Sequence, residues 1–208
     1  MKRILIYGDS ITWGRVPNKP DRYDESTRYA GVVQNELGPD CSIVAEGLRS
    51  RTLFGENGFL KYRNGFVQFG PIFASHLPLN LVVLFLGTND TNSRAGKTTK
   101  EIAAGFDDYV KSIDYWCAQM QLPKPKILIV APPKIKGIAL REGSMFSGAD
   151  EKADSFASEF SKKANELDAD LFDAATYAEP SDEDGIHPDA ESHMQLGKAL
   201  ATCIREIL

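Results

Sequence analysis

Long apolar runs are missing from this 208-residue chain. The longest, Leu81 to Leu86, falls far short of the roughly 18 residues a membrane span needs, so no membrane association is expected. Cysteine is scarce: Cys41, Cys117 and Cys203 are odd in number and widely scattered, and no pair has metal-ligand or redox spacing. That argues against a disulfide framework and a zinc site and favours a reduced, cytoplasmic protein. Met1-Lys2-Arg3 leads straight into a short apolar run, without the longer stretch and small-residue cleavage site of a signal peptide. A basic run is lacking too. Lys plus Arg is 24 against 29 Asp plus Glu, and the net charge of -5 makes nucleic acid a poor electrostatic partner. There is no internal repeat or low-complexity tract. The 42% hydrophobic and 25% charged residues are those of an ordinary globular protein, and the length predicts one domain over 1–208.

What is present is alternation. Runs at Ile4–Tyr7, Ser42–Ala45, Leu81–Leu86, Ile127–Ala131 and Asp170–Phe172 read as strands, three of them apolar enough to be buried on both faces. Helical patterns fall between them. Tyr29, Val33 and Leu37 stop at Gly38, and Thr98-x-x-Glu101 offers a capping box before a stripe from Ile102 to Met120. A stripe from Ala153 to Leu167 follows, then a last helix with Pro188 at its first position. Trp116 and Met120 are expected in the core. Strand-helix alternation predicts a single α/β domain with a parallel sheet. Three stretches fit no regular element: Arg15–Arg28, Leu53–Phe66 and Pro132–Gly148. Loops of that kind gather at the carboxyl ends of parallel strands, where ligands bind.

Three of the strand ends and helix starts carry chemistry. Gly8-Asp9-Ser10-Ile11-Thr12-Trp13-Gly14 puts a serine just beyond the first strand, near a helix N-terminus that favours developing negative charge. Alone, Asp9-Ser10 reads as a turn or N-cap. Asn89, in Gly87-Thr88-Asn89-Asp90, would project an amide over the same crevice, yet alone it too reads as a turn residue. In Asp184-Gly185-Ile186-His187-Pro188 a carboxylate precedes a histidine by three residues, able to accept its Nδ1 hydrogen and leave Nε2 as a base. Considered in isolation, His187 is a surface residue. His76 and His193 have no such partner in sequence. Together, a serine, an amide donor and an Asp-His pair are far more specific than any one of them.

These blocks resemble the SGNH (GDSL-type) hydrolase superfamily. Lys2-Arg3-Ile4-Leu5, Asp9-Ser10-Ile11-Thr12-Trp13-Gly14, Glu46-Gly47-Leu48-x-x-Arg51-Thr52 and Leu86-Gly87-Thr88-Asn89-Asp90-Thr91 are similar to its bacterial arylesterase/acyltransferase branch. The resemblance implies a three-layer α/β/α sandwich around a flavodoxin-like five-stranded parallel sheet. It implies Ser10 as nucleophile, His187 as base and Asp184 as orienter. It also implies an oxyanion hole of the Ser10 N–H, a second-block N–H and the Asn89 side chain. Aligning Gly47-Leu48-Arg49-Ser50-Arg51-Thr52 puts Ser50 at the second-block position, where the superfamily usually has glycine; Gly47 is the lesser candidate. Asp9 and Asp90 are expected to hold loop backbone, and Asp189 to complement a helix dipole.

The expected activity is hydrolysis of short-chain acyl (acetyl or aryl) esters through an acyl-enzyme, with acyltransferase or perhydrolase side activity. A carbohydrate acetyl esterase or a lysophospholipase/thioesterase would use the same machinery. No cofactor and no metal are expected, the partner is a small-molecule ester, and the apolar loop residues suggest a homo-oligomer. Two other classes compete. A dinuclear metal phosphoesterase needs more converging histidines than the three present. A phosphate-cradling module lacks its glycine and lysine signatures. The pocket would be built from the three loops, whose aromatic and basic residues include Arg22, Tyr23, Phe54, Phe59, Lys61, Tyr62, Arg63 and Phe146.

Overall fold

Five of the short apolar segments become strands: β1 (Lys2–Gly8), β2 (Cys41–Gly47), β3 (Leu81–Phe85), β4 (Lys126–Ala131) and β5 (Asp170–Asp173). The computed structural model describes residues 1–58 and 60–208, so Phe59 lies outside the described residues. All strands run parallel in the order β2-β1-β3-β4-β5.

The two-residue period of the strands splits the core between two faces. On one face Leu5, Tyr7, Val82, Leu84, Ile127 and Ile129 pack under α3 (Gly65–His76), α4 (Thr99–Ala104), α5 (Phe106–Met120) and α7 (Phe156–Glu166), which contribute Phe69, Phe73, Phe106 and Phe160. On the other, Ile4, Ile6, Leu81, Val83, Leu128 and Val130 pack under α2 (Tyr29–Leu37) and α8 (Ala190–Ile207) through Val33, Leu196, Leu200 and Ile204. Each such side chain, fully buried, is worth about 1.5–3 kcal/mol. The result is the three-layer α/β/α sandwich expected of the chain.

Several local expectations need correction. The Ile102–Met120 stripe is two helices broken at Gly105, where an added Cβ would meet Phe54 and Leu53. The Thr98/Glu101 capping box opens the first of them. A short helix, α6 (Asp150–Asp154), similarly separates from α7. Met120 is 48% exposed rather than core, because the stripe has rotated to solvent by the last turn, whereas Trp116 does pack against the core. Pro188 is not the first helical residue. Asp189 is the N-cap of α8 and accepts the Ser192 N–H at 2.8 Å. Helix α3 has no counterpart among the expected elements: its Pro71 breaks the pattern, yet Phe69 and Phe73, four apart, bury its inner face.

The strand order places the crevice. From β1 the chain crosses to β2 on one side, then returns past β1 to β3 on the other. The carboxyl ends of β1 and β3 therefore border the point where the winding reverses, the usual ligand position in such sheets. Gly47 closes β2 against the short helix α1 (Ser10–Trp13): a Cβ there would lie 2.2 Å from the Trp13 N and 2.6 Å from the Thr12 C. Gly47→Ala should therefore destabilise the fold by about 1–3 kcal/mol, readable as a lowered melting temperature. A change of stability within error would mean that α1 can move away freely.

Candidate active site

Ser10 begins α1 directly after β1. Asp9 is the N-cap, its Oδ1 accepting the Ile11 N–H at 2.9 Å, and as first helical residue Ser10 has an N–H that no helical carbonyl takes. Asp9 is fully buried, and burial pushes its carboxyl up to about 7, with the Ile11 hydrogen bond opposing the rise.

Asp184 and His187 come from much further away in the sheet. They lie in the segment between β5, at the far edge, and α8, so the loop must return across three strand spacings, about 14 Å, to reach β1. Two contacts hold it there. Lys136 N–H donates to Gly185 O at 3.0 Å, and Asn18 N–H donates to Asp184 Oδ2 at 3.0 Å. Gly185 has φ +72°, and a Cβ on it would sit 1.9 Å from Lys136 O, so only glycine serves at this crossing.

The three side chains meet in one line. His187 Nδ1 is 2.7 Å from Asp184 Oδ2, and His187 Nε2 is 2.9 Å from Ser10 Oγ. Asp184 Oδ1 also accepts the Ile186 and His187 N–H groups at 3.0 and 2.9 Å, which fixes the carboxylate plane. Burial would raise the Asp184 pKa, but the hydrogen bond and positive charge of His187 outweigh it and hold the carboxyl well below its ordinary range. With Nδ1–H donated to a carboxylate, the Nε2 lone pair faces the serine hydroxyl, the arrangement of a general base.

Ser50 and Asn89 are the two further donors expected at this site. Ser50 follows β2 with φ +64°, the left-handed region that glycine adopts without strain, which accounts physically for a glycine-like position in this turn. Asn57 Nδ2 donates to Ser50 O at 3.1 Å, and among the described residues the Ser50 N–H has no acceptor. Gly47 is paired within the sheet opposite Gly8. Asn89 sits in a single 3-10 turn, Thr88–Thr91, beyond β3. Its Nδ2 donates to Arg51 O at 3.0 Å and, more loosely, to Asp9 Oδ2 at 3.3 Å.

Asp90 holds loop backbone, its carboxylate accepting the Leu53 N–H at 2.7 Å and facing Lys97 Nζ at 3.1 Å. The other histidines make no hydrogen bond to Ser10 or Asp184 among the described residues. His76 has a carboxylate partner that sequence did not reveal, Glu46 Oε1 at 2.9 Å. His193 is buried against Tyr23 and Tyr29, accepts the Tyr29 N–H through Nδ1, and is pushed by burial down to about 4. Phe146 is a core residue and Tyr62 is 78% exposed, so the loop aromatics do not share one pocket.

Arg51, in the second block, holds the site's framework together. Arg51 is 3% exposed: its Nη1 donates to Gly8 O at 2.8 Å and to Glu46 O, and its guanidinium lies 4.1 Å from the Tyr7 ring centroid. Its own carbonyl receives Asn89. Arg51 thus ties the ends of β1 and β2 to the Asn89 turn, a function no sequence pattern separates from a surface arginine. Among the described residues no three His, Cys, Asp or Glu side chains gather as a metal site, and no helix is long and apolar enough to cross a membrane.

The model of the GDSL-like lipase/acylhydrolase family matches residues 6–194. Among solved structures, a carbohydrate acetylesterase from Sinorhizobium meliloti is 32% identical with a TM-score of 0.94, and an aryl esterase from M. smegmatis is 33% identical at 0.93; each match covers 100% of both chains. A lipolytic protein of the G-D-S-L family from Veillonella parvula, 15% identical with a TM-score of 0.68 and 100% of both chains covered, shares the fold. No curated protein sequence matches the chain.

Proposed function

Because the chain belongs to the GDSL-like lipase/acylhydrolase family and is a carboxylic ester hydrolase, we propose that it hydrolyses short-chain acyl esters through a Ser10-His187-Asp184 triad and an acyl-enzyme. The observation that carries this reading is the unbroken hydrogen-bond line from Asp184 Oδ2 through His187 to Ser10 Oγ, 2.7 and 2.9 Å. Ser10 Oγ attacks the ester carbonyl carbon as its proton passes to His187 Nε2. The carbonyl oxygen becomes an oxyanion held by the Ser10 N–H, the Ser50 N–H and Asn89 Nδ2. Asn89 keeps its shorter bond to Arg51 O and exchanges the looser one to Asp9 for the oxyanion. His187 then gives its proton to the leaving alcohol oxygen, and water, activated by the same histidine, frees the acid and restores Ser10. An alcohol or peroxide replacing that water gives the acyltransferase or perhydrolase reaction.

Aryl and acetyl esters fit the similar proteins, one an aryl esterase and one a carbohydrate acetylesterase. The test is hydrolysis of p-nitrophenyl acetate, its longer-chain homologues and an acetylated sugar, with excess chelator present. Turnover that falls with chain length and ignores the chelator is expected. Loss on chelation would instead favour metal-assisted phosphoester chemistry, and a higher kcat/KM on the acetylated sugar would favour the carbohydrate reading. Asn89→Ala should lower kcat about 10²–10³-fold with little change in KM, because the donor acts on charge that develops only in the transition state. A drop of less than threefold would remove Asn89 from the oxyanion hole.

A further inference from the structure

Two arginines lie over one residue beside this site, and a third adjoins them. Trp13 ends α1 three positions after Ser10, so the two share a helix face. The Arg22 and Arg49 guanidiniums lie 5.2 and 5.4 Å from the Trp13 ring centroid. Arg15 pairs with Arg22 across an antiparallel bridge. Arg49 immediately precedes Ser50, and Arg15 N–H donates to Ser10 O at 3.0 Å, so both belong to segments that carry the proposed oxyanion donors.

The charge balance here is unusual for this chain. Acids outnumber bases, 29 to 24, and exposed lysines such as Lys111, Lys124, Lys134 and Lys162 all sit against carboxylates. Among the described residues Arg15, Arg22 and Arg49 make no ion pair with any carboxylate. Desolvation first, then the charge of Arg49, loosens the hold of Arg15 on its proton, with Asp184 opposing. Like charges held together and partly dried, with Asp184 and Glu25 acting on Arg15 and Arg22 only from beyond ion-pair distance, are stabilised by an anion that enters between them. Planar guanidiniums suit a carboxylate, which they bind by two parallel hydrogen bonds.

We infer that Arg15 and Arg49, with Arg22 stacked beside them on Trp13, form a subsite for a carboxylate on the alcohol portion of the ester. The side follows from the proton route. His187 hands its proton to the leaving alcohol, Asp184 stands behind His187, and the 15–28 loop borders that pair through the Asn18 N–H on Asp184 Oδ2. This subsite rests on the esterase reading for its place in the reaction, but its ligand can be weighed separately.

The experiment compares 4-acetoxybenzoate with 4-acetoxybenzamide, alike in shape and unlike in charge, on the native protein and on Arg15→Gln and Arg49→Gln. The native protein should favour the anion about tenfold in kcat/KM, mostly through KM, and each substitution should remove most of that ratio. Rising salt should shrink the ratio in the native protein. In parallel, calorimetry of 4-hydroxybenzoate against 4-hydroxybenzamide on Ser10→Ala reads the subsite without catalysis. Esters cleaved equally, with no preference for 4-hydroxybenzoate, overturn the subsite and leave the esterase standing. Esters untouched, with arginine-dependent binding of 4-hydroxybenzoate, overturn the esterase reading and leave the subsite standing. An anion preference that survives both substitutions removes the arginines from it.

Discussion

Ser10→Ala is expected to lower turnover on p-nitrophenyl acetate by on the order of 10⁶-fold, as removal of the nucleophile does in triad hydrolases. The substitution takes away one hydroxyl and little else. The Ser10 N–H stays in place, Asp9 still caps α1 through Ile11, and His187 Nε2 loses a single 2.9 Å hydrogen bond. Stability should change by no more than about 1 kcal/mol. A fluorophosphonate should label the native protein and leave Ser10→Ala unlabelled. Retention of more than a few per cent of activity, with the folded protein verified by its melting curve, would sink the assignment.

Asp184→Asn should cost about 10⁴-fold in kcat. Asparagine keeps an oxygen that can accept the Ile186 and His187 N–H groups, and the Lys136–Gly185 contact stays, while the Asn18 N–H loses its acceptor. Its amide nitrogen then faces His187 Nδ1, 2.7 Å away in the native protein, and only the tautomer with Nδ1 unprotonated is compatible. That tautomer puts the proton on Nε2, where it cannot accept one from Ser10. Asp189→Asn is the control, because asparagine caps a helix as well as aspartate and α8 should not notice. Equal effects of the two substitutions would mean that Asp184 acts only on the fold.

Melting curves add an independent readout. The Asp184 carboxyl is held below its ordinary value of 3.8, so its ionised form stabilises the fold above that pH, and the contribution is lost as pH falls further. Asp184→Asn should remove that part of the acid sensitivity. His193 acts higher up the scale. Burial lowers it from 6.5 to about 4, so the unfolded chain takes up a proton that the folded chain refuses, and stability declines between those values in both proteins.

The sheet was legible in the sequence because apolar segments are local signals, and the residues of the Ser10-His187-Asp184 line were picked out by their resemblance to family motifs rather than by any one local pattern. Five apolar segments gave five strands, with Asp-Ser and Asn-Asp just beyond two of them and Asp-x-x-His just before the last helix. What was not legible depends on contacts between distant segments. Helix α3 hid behind Pro71, since only packing of Phe69 and Phe73 under the sheet reveals its face. Met120 followed the stripe but not the burial. The His76–Glu46 pair joins a helix to a strand, and the Arg51 guanidinium reaches back to Gly8; neither has a spacing to betray it. Ser50 was placed by alignment of a motif, and its left-handed backbone supplies the physical reason that a glycine suits the same turn.

The hydrogen bond between His187 and Ser10 joins residues 177 apart. Ser10, at the start of α1, is made before four of the five strands, and its proposed base follows only after the last of them. A chain cut short before His187 therefore has a Ser10 hydroxyl without this partner. Ester cleavage by the purified protein should therefore count correctly wound molecules without a separate assay of folding.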